Sequence, residues 1–284
     1  MEGNIAFGGA DRIMMNKIKN FFKGMAAGIA MLVPGVSGGT MAIILGIYDQ
    51  LIHSVSTFFK DWKKNFIFLM IVGLGGLTGV LLFSKLMESA MNSFPYVMKF
   101  LFMGVIIGGL PVLYRKSSDS GKFDLKSLIF LAIGFAIVLI MSFEPDATTN
   151  MATEKGVLSY IFLFIAGIIS AVALVLPGIS GSYMLLILGL YNLTLNSINT
   201  MNIPFLVPLA LGIAVGTFGT AKLIEKCLNE YPKQTYMLII GFVIGSLIEV
   251  FPGIPPISQL FASIVVFAVG GAGIYWLGKK GLTD

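Results

Sequence analysis

The sequence predicts an all-α polytopic membrane protein built from two inverted-topology repeats. Each repeat pairs one re-entrant broken helix hairpin with about three transmembrane helices. Three observations predict it. First, the 284 residues are 56% hydrophobic and 12% charged, with a mean hydropathy of +0.91, and a soluble domain needs about twice that charge to cover its surface. Second, several apolar runs reach the roughly 20 residues a helix needs to cross about 30 Å of hydrocarbon, and none alternates as a barrel strand would. Third, a segment of the first half returns in the second.

Pro34 to Tyr48 reads PGVSGGTMAIILGIY, and Pro177 to Tyr191 reads PGISGSYMLLILGLY. At an offset of 143, nine of the fifteen positions are identical, where composition alone gives roughly one. Gly24 and Ala30 stand opposite Gly167 and Ala173. At an offset of 137, Lys85-Leu86-Met87-Glu88 answers Lys222-Leu223-Ile224-Glu225, and Gly75, Gly79, Asn92, Pro95, Gly104 and Gly108 answer Gly212, Gly216, Asn229, Pro232, Gly241 and Gly245. The blocks keep their order, which is the mark of a tandem duplication.

Taken in order, residues 1–16 are read as an N-terminal tail. Residues 11–23 set Ile13, Met14, Ile18, Phe21 and Phe22 against Arg12, Lys17 and Lys19, the pattern of a helix lying on a membrane surface. Basic residues ahead of Met25 to Val33 imitate a signal peptide, but cleavage there would delete half of a repeat, and that reading is rejected. The first repeat covers 17–143, an extracytoplasmic linker 144–156, and the second repeat 157–284. Interrupted apolar segments run over about 24–52 and 157–194, and continuous ones over 66–84, 96–114, 127–143, 204–221, 235–250 and 258–278.

Topology turns on whether the interrupted segments cross. If each returns to its own side, 16 of the 19 Lys and Arg face the cytoplasm and only Lys85, Lys99 and Lys155 face out; if each crosses, the split is 12 to 7. Basic loops stay inside, so the returning hairpins are favoured, with both termini cytoplasmic and the acidic loop Glu144-Pro145-Asp146 outside. Three crossings per repeat then invert the second repeat, a recurring transporter design with its site near the midplane. The net charge of +5 orients the chain and does not signal nucleic acid. One cysteine, Cys227, and one histidine, His53, leave no disulfide and no multi-Cys or His-cluster metal site, so no metal or cofactor is expected.

The Pro-Gly-x-Ser-Gly breaks carry the chemistry. Proline and glycine end the first arm, and Ser37 and Ser180 are placed to cap the second. The amides of Gly38, Gly39 and Thr40, and of Gly181, Ser182 and Tyr183, then open helices with few competing side chains. Open helix starts offer N–H groups and partial positive charge to a phosphate. The bland alternative is close helix packing, which also explains the GxxxG spacing of Gly75/Gly79, Gly104/Gly108, Gly212/Gly216 and Gly241/Gly245. Lys85 with Glu88 and Lys222 with Glu225 are spaced for local pairing, as snorkelling border residues or as portal and coupling groups. Glu249 reads as a border residue rather than a proton carrier, and Tyr48 and Tyr191 as interfacial anchors. The GxSG strings also imitate an intramembrane serine protease, but no general base accompanies Ser180.

At these motifs the sequence resembles the PopT family of bacterial polyprenyl-phosphate transporters, long described as a domain of unknown function. The resemblance rests on PGVSGGT at Pro34–Thr40, LGIYD at Leu45–Asp49 and PGISGS at Pro177–Ser182, and extends from about Lys17 onward. Ser182-Tyr183 departs from Gly39-Thr40 of the first copy, so the hairpins are not equivalent. The resemblance implies a transporter of the cytoplasmic membrane, not an enzyme. Its cargo would be undecaprenyl phosphate, returned to the inner leaflet for envelope polymer synthesis. The partners expected are that lipid and the bilayer, not nucleic acid, with homo-oligomerisation left open. The residues alone also allow an ion-coupled small-anion or solute transporter.

Overall fold

A computed structural model describes residues 3–33, 36–118, 124–141 and 156–281. Pro34, Gly35, Lys122 and nearly all of the 144–156 linker, with its acidic loop and Lys155, lie outside the described residues. So do the side chains of Arg12, Ser182, Lys279 and Lys280.

The described residues form helices without strands. The first half comprises α1 (Gly3–Ala30), α2 (Gly38–Ile44), α3 (Tyr48–Ser56), α4 (Trp62–Ser93), α5 (Pro95–Ser118) and α6 (Leu125–Met141). The second half repeats the order with α7 (Val157–Val175), α8 (Gly181–Ile187), α9 (Tyr191–Asn199), α10 (Ile203–Glu230), α11 (Pro232–Val250) and α12 (Ile257–Gly281). Six of these, α4, α5, α7, α10, α11 and α12, are long and apolar enough to cross a membrane, and α6 is a shorter apolar helix. Their outward faces carry bare apolar side chains such as Leu81, Leu82 and Phe261, which suits hydrocarbon surroundings.

Two features differ from the sequence reading. The surface helix expected over 11–23 and the first arm expected from residue 24 are one helix, α1, which begins at Gly3. Gly24 does not break it, because a helical glycine costs only about 1 kcal/mol and this one meets α4. The returning arms are also longer than expected, each consisting of two short helices of seven and nine residues.

Glycines set the helix pairs, as their spacing predicted. A Cβ on Gly24 or Gly28 would lie 2.2 Å from the carbonyl oxygen of Val72 or Gly76, and one on Gly75 would lie 2.1 Å from that of Phe21. In the second half, Gly167 meets Leu209 and Gly212 meets Phe164 at similar distances. Only glycine allows backbones this close. Residue numbers rise together along both contacts, so α1 runs parallel to α4, and α7 to α10. Because α4 starts ten residues before Val72, the chain leaving Ala30 must travel back roughly 24 Å, at about 1.5 Å per residue, before α4 begins. The sixteen residues of α2 and α3 cover that distance.

The chain divides into two compact units, one of residues 1–109 with 252–284 and the other of 110–251. They are not the two sequence repeats, because the last helix of each repeat is exchanged. In the first unit α12 lies parallel to α5, with Gly104 against Phe267 and Gly108 against Gly271. In the second unit α6 lies parallel to α11, with Gly241 against Leu131 and Gly245 against Val138. The second unit also carries an electrostatic clamp. The Asp124 carboxylate accepts hydrogen bonds from the backbone N–H (3.0 Å) and the hydroxyl of Ser127 and so caps α6, and it pairs with Lys233 of α11 at 3.1 Å. The Ser127 hydrogen bonds, with Lys233 behind them, push the Asp124 carboxyl down to about 2. Lys116, at the end of α5, sits 5.5 Å from the ring of Tyr236 beside this clamp.

Candidate functional site

Each break begins where a first arm ends and the chain turns back along it. In the first unit Gly38 lies beside Met31, and Gly46 beside Lys23, so α2 runs antiparallel to the end of α1. In the second unit Gly181 lies beside Leu174 and the Ser170 carbonyl. Both second arms stop in the same way. Ile47 N–H donates to Ala42 O and Gly46 N–H to Ile43 O; Leu190 and Gly189 repeat the pattern on Leu185 and Leu186. This is the Schellman motif, and Gly46 (φ +70°) and Gly189 (φ +67°) occupy its left-handed position.

Ser37 and Ser180 hold the N-cap positions in extended backbone (φ −82°, ψ 137° and φ −93°, ψ 127°). Neither hydroxyl closes a side-chain cap bond. The first helical bonds are Met41 N–H to Ser37 O and Met184 N–H to Ser180 O, each 3.1 Å. The amides of Gly38, Gly39 and Thr40, and of Gly181, Ser182 and Tyr183, therefore precede the helical ladder, as the sequence predicted. Around them the copies differ. Ser37 and Thr40 are buried, whereas Ser180, Gly181 and Tyr183 are half-buried. The Tyr183 hydroxyl donates to Met141 O at 2.7 Å, tying α8 to the end of α6. Gly178 (φ +81°) brings the second break against α11, where a Cβ would lie 2.5 Å from Phe242 O. Ser170, one arm away, is buried with a hydroxyl that has no hydrogen-bond partner. Sequence reading passed over it, although its counterpart in the first copy is Ala27.

The other candidates lie elsewhere. Lys85 and Glu88 are exposed on α4, and Lys222 is exposed and Glu225 half-buried on α10. The expected local pairs do not form, since neither lysine has an ion-pair partner among the described residues; an exposed pair gains too little to fix two long side chains. Glu249 is exposed. Tyr48 is 3% exposed and so belongs to the core instead of an interface, while Tyr191 remains exposed. His53 is exposed on α3, past the far end of α2 from Ser37. No group of three or more His, Cys, Asp or Glu able to hold a metal occurs among the described residues.

Residues 27–263 match a family model described as undecaprenyl phosphate translocase-like. The chain is 37% identical over 262 residues to a polyprenyl-phosphate transporter of Staphylococcus aureus, covering 88% of this chain and 92% of that protein. It is 29% identical over 255 residues to a polyprenyl-phosphate transporter of Vibrio cholerae, covering 84% and 79%. No solved structure matches.

Proposed function

The chain belongs to the undecaprenyl phosphate translocase-like family, and from that premise we propose that it is a multi-pass transporter of polyprenyl phosphate, not an enzyme. It returns undecaprenyl phosphate, or a close relative, across the bacterial cytoplasmic membrane to the leaflet where envelope polymers begin. The observation that carries the mechanism is the matched pair of breaks, each opening a short helix whose first amides lie ahead of the hydrogen-bond ladder. The phosphate is held at these amides in turn, helped by Ser37 and Thr40 in one copy and by Ser180 and Ser182 in the other. The isoprenoid tail stays in hydrocarbon. Backbone amides replace part of the water that a phosphate loses on leaving the surface.

Several contacts support re-entrant hairpins within inverted repeats. The parallel course of α1 with α4 and of α7 with α10 fits arms that return to their starting side. The Asp124–Lys233 pair joins the α5–α6 and α10–α11 connections, which would lie on opposite sides if residues 157–199 crossed between α6 and α10. The parallel packing of α5 with α12, combined with alternating crossings, gives α11 the opposite sense to α5. In this reading the balance of basic residues puts both termini in the cytoplasm, and Lys85 and Lys222 mark portals on opposite faces.

The test is translocation of undecaprenyl phosphate in proteoliposomes, followed by the disappearance of its phosphate from the outer surface. Protein-dependent flux that soluble anions neither replace nor require is expected. Flux of a soluble anion without lipid dependence would overturn the reading in favour of a small-anion transporter.

A further inference from the structure

We propose that Lys23 and Lys19, at the foot of the first hairpin, form an anion site for a phosphate monoester, a station separate from the break at the tip. The inference rests on the reading of the chain as a carrier of lipid phosphate. Because α2 runs back along α1, the Gly46 turn comes down onto Lys23. A Cβ on Gly46 would meet nothing but the Lys23 ammonium, at 4.0 Å, so the exposed turn opens onto space walled by that charge. Lys19 lies one turn earlier on the same face of α1 and is exposed, and like charges at this spacing repel. Lys23 is half-buried and has no ion-pair partner among the described residues. Burial, and after it the charge of Lys19, lowers its pKa from the ordinary lysine value.

Such a cation is costly to keep without a counter-charge. The turn does not need it, because Gly46 and Ile47 already bond the free carbonyls of α2. The second copy makes the point directly. The Gly189 turn forms with the same bonds although Ala166 stands where Lys23 would be. The lysine therefore adds charge without being required for shape. A phosphate monoester brings about −1.5 to −2 charges near neutral pH, enough to engage two ammonium groups, where a carboxylate would satisfy one. Ile18 and Phe22, both exposed beside the lysines, give an isoprenoid tail an apolar surface to follow.

The test uses the full chain in nanodiscs of zwitterionic lipid, with a short-chain prenyl phosphate and inorganic phosphate as probes in separate calorimetric titrations. Lys23→Ala, which copies the second repeat, should weaken binding roughly tenfold, and Lys23→Arg should stay within about threefold of the wild type. A loss confined to prenyl phosphate assigns the site to a lipid headgroup. An equal loss for inorganic phosphate assigns it to free phosphate. Unchanged affinity for both probes, or no binding of either by the wild type, overturns the proposal. If Lys23→Ala does not fold, Lys19→Ala, at an exposed position, carries the same test. Undecaprenyl phosphate flux with Lys23-independent binding would remove this site and leave transport standing. Lys23-dependent phosphate binding without flux would do the reverse.

Discussion

At the start of α6, Asp124 caps its own helix and grips Lys233 of α11. At the matching place in the other unit, the start of α12, the buried oxygens Ser263 Oγ and Gln259 Oε1 have no hydrogen-bond partner, and Tyr96 stands where Lys233 would be. The hairpins differ in the same spirit. Ser170, Ser182 and Tyr183 of the second copy replace Ala27, Gly39 and Thr40, while Lys23 and Asp49 of the first are replaced by Ala166 and Asn192. Yet five glycines at the helix crossings, Gly24, Gly75, Gly79, Gly104 and Gly108, have glycine counterparts in the second copy, although Ala171 and Ile213 replace Gly28 and Gly76. The copies have kept their framework and diverged where polar groups meet. That is expected if the framework must repeat but each hairpin handles its cargo in a different setting.

The largest effect should come from the break fixed against α11. Gly178→Ala faces both a left-handed φ and the Phe242 carbonyl, and should cost about 3 kcal/mol or more, seen as loss of folded protein in size-exclusion profiles. Gly46→Ala at the open turn of the first copy should cost only about 1 kcal/mol. Equal losses would erase this contrast. Next, Gly38→Leu and Gly181→Leu should each abolish lipid flux in proteoliposomes at equal expression, and normal flux in both would sink phosphate binding at the breaks. Alanine sharpens the comparison. Gly181→Ala makes only ordinary contacts with Leu174, whereas Gly38→Ala must displace the Met31 sulfur 2.8 Å away, so the first should transport better than the second.

A smaller loss, roughly tenfold in flux, is expected for Ser37→Ala and for Ser180→Ala. If Ser170→Ala lowers flux as well, the second hairpin has a polar group that the first lacks; if it is silent, the orphan hydroxyl is only a packing defect. Smallest is the clamp. Asp124 has a folded pKa of about 2, below its ordinary 3.8. Its contribution to stability is therefore complete above about pH 4 and is lost as pH falls through 2. Asp124→Asn should lower the melting temperature slightly at pH 7 and flatten its fall on acidification.

Much of this architecture was legible in local sequence. Apolar runs located the long helices because hydrocarbon tolerates few alternatives, and Pro-Gly-x-Ser-Gly located the breaks because φ limits act within a few residues. What sequence could not assign was partnership. Gly104/Gly108 and Gly241/Gly245 share one spacing, so nothing in the motif says that α5 receives α12 while α11 receives α6. Asp124 and Lys233 are 109 positions apart, and Lys23 looked like one orienting charge among several until the Gly46 turn was placed against it. The reverse error is also instructive. Lys85 with Glu88 looked paired because spacing permits contact, but on an exposed helix face permission carries little energy.

The exchanged last helices also bear on how the protein is made. A ribosome delivers the N-terminal half first, yet the glycine groove of α5 is filled by α12, whose Phe267 comes 163 positions after Gly104. Until α12 is made, the first unit therefore waits in the bilayer with a seam open to lipid or to a wrong helix. A nascent chain halted before Ile257 should be a substrate for membrane quality-control proteases even though the breaks and five of its six continuous apolar segments have already been made.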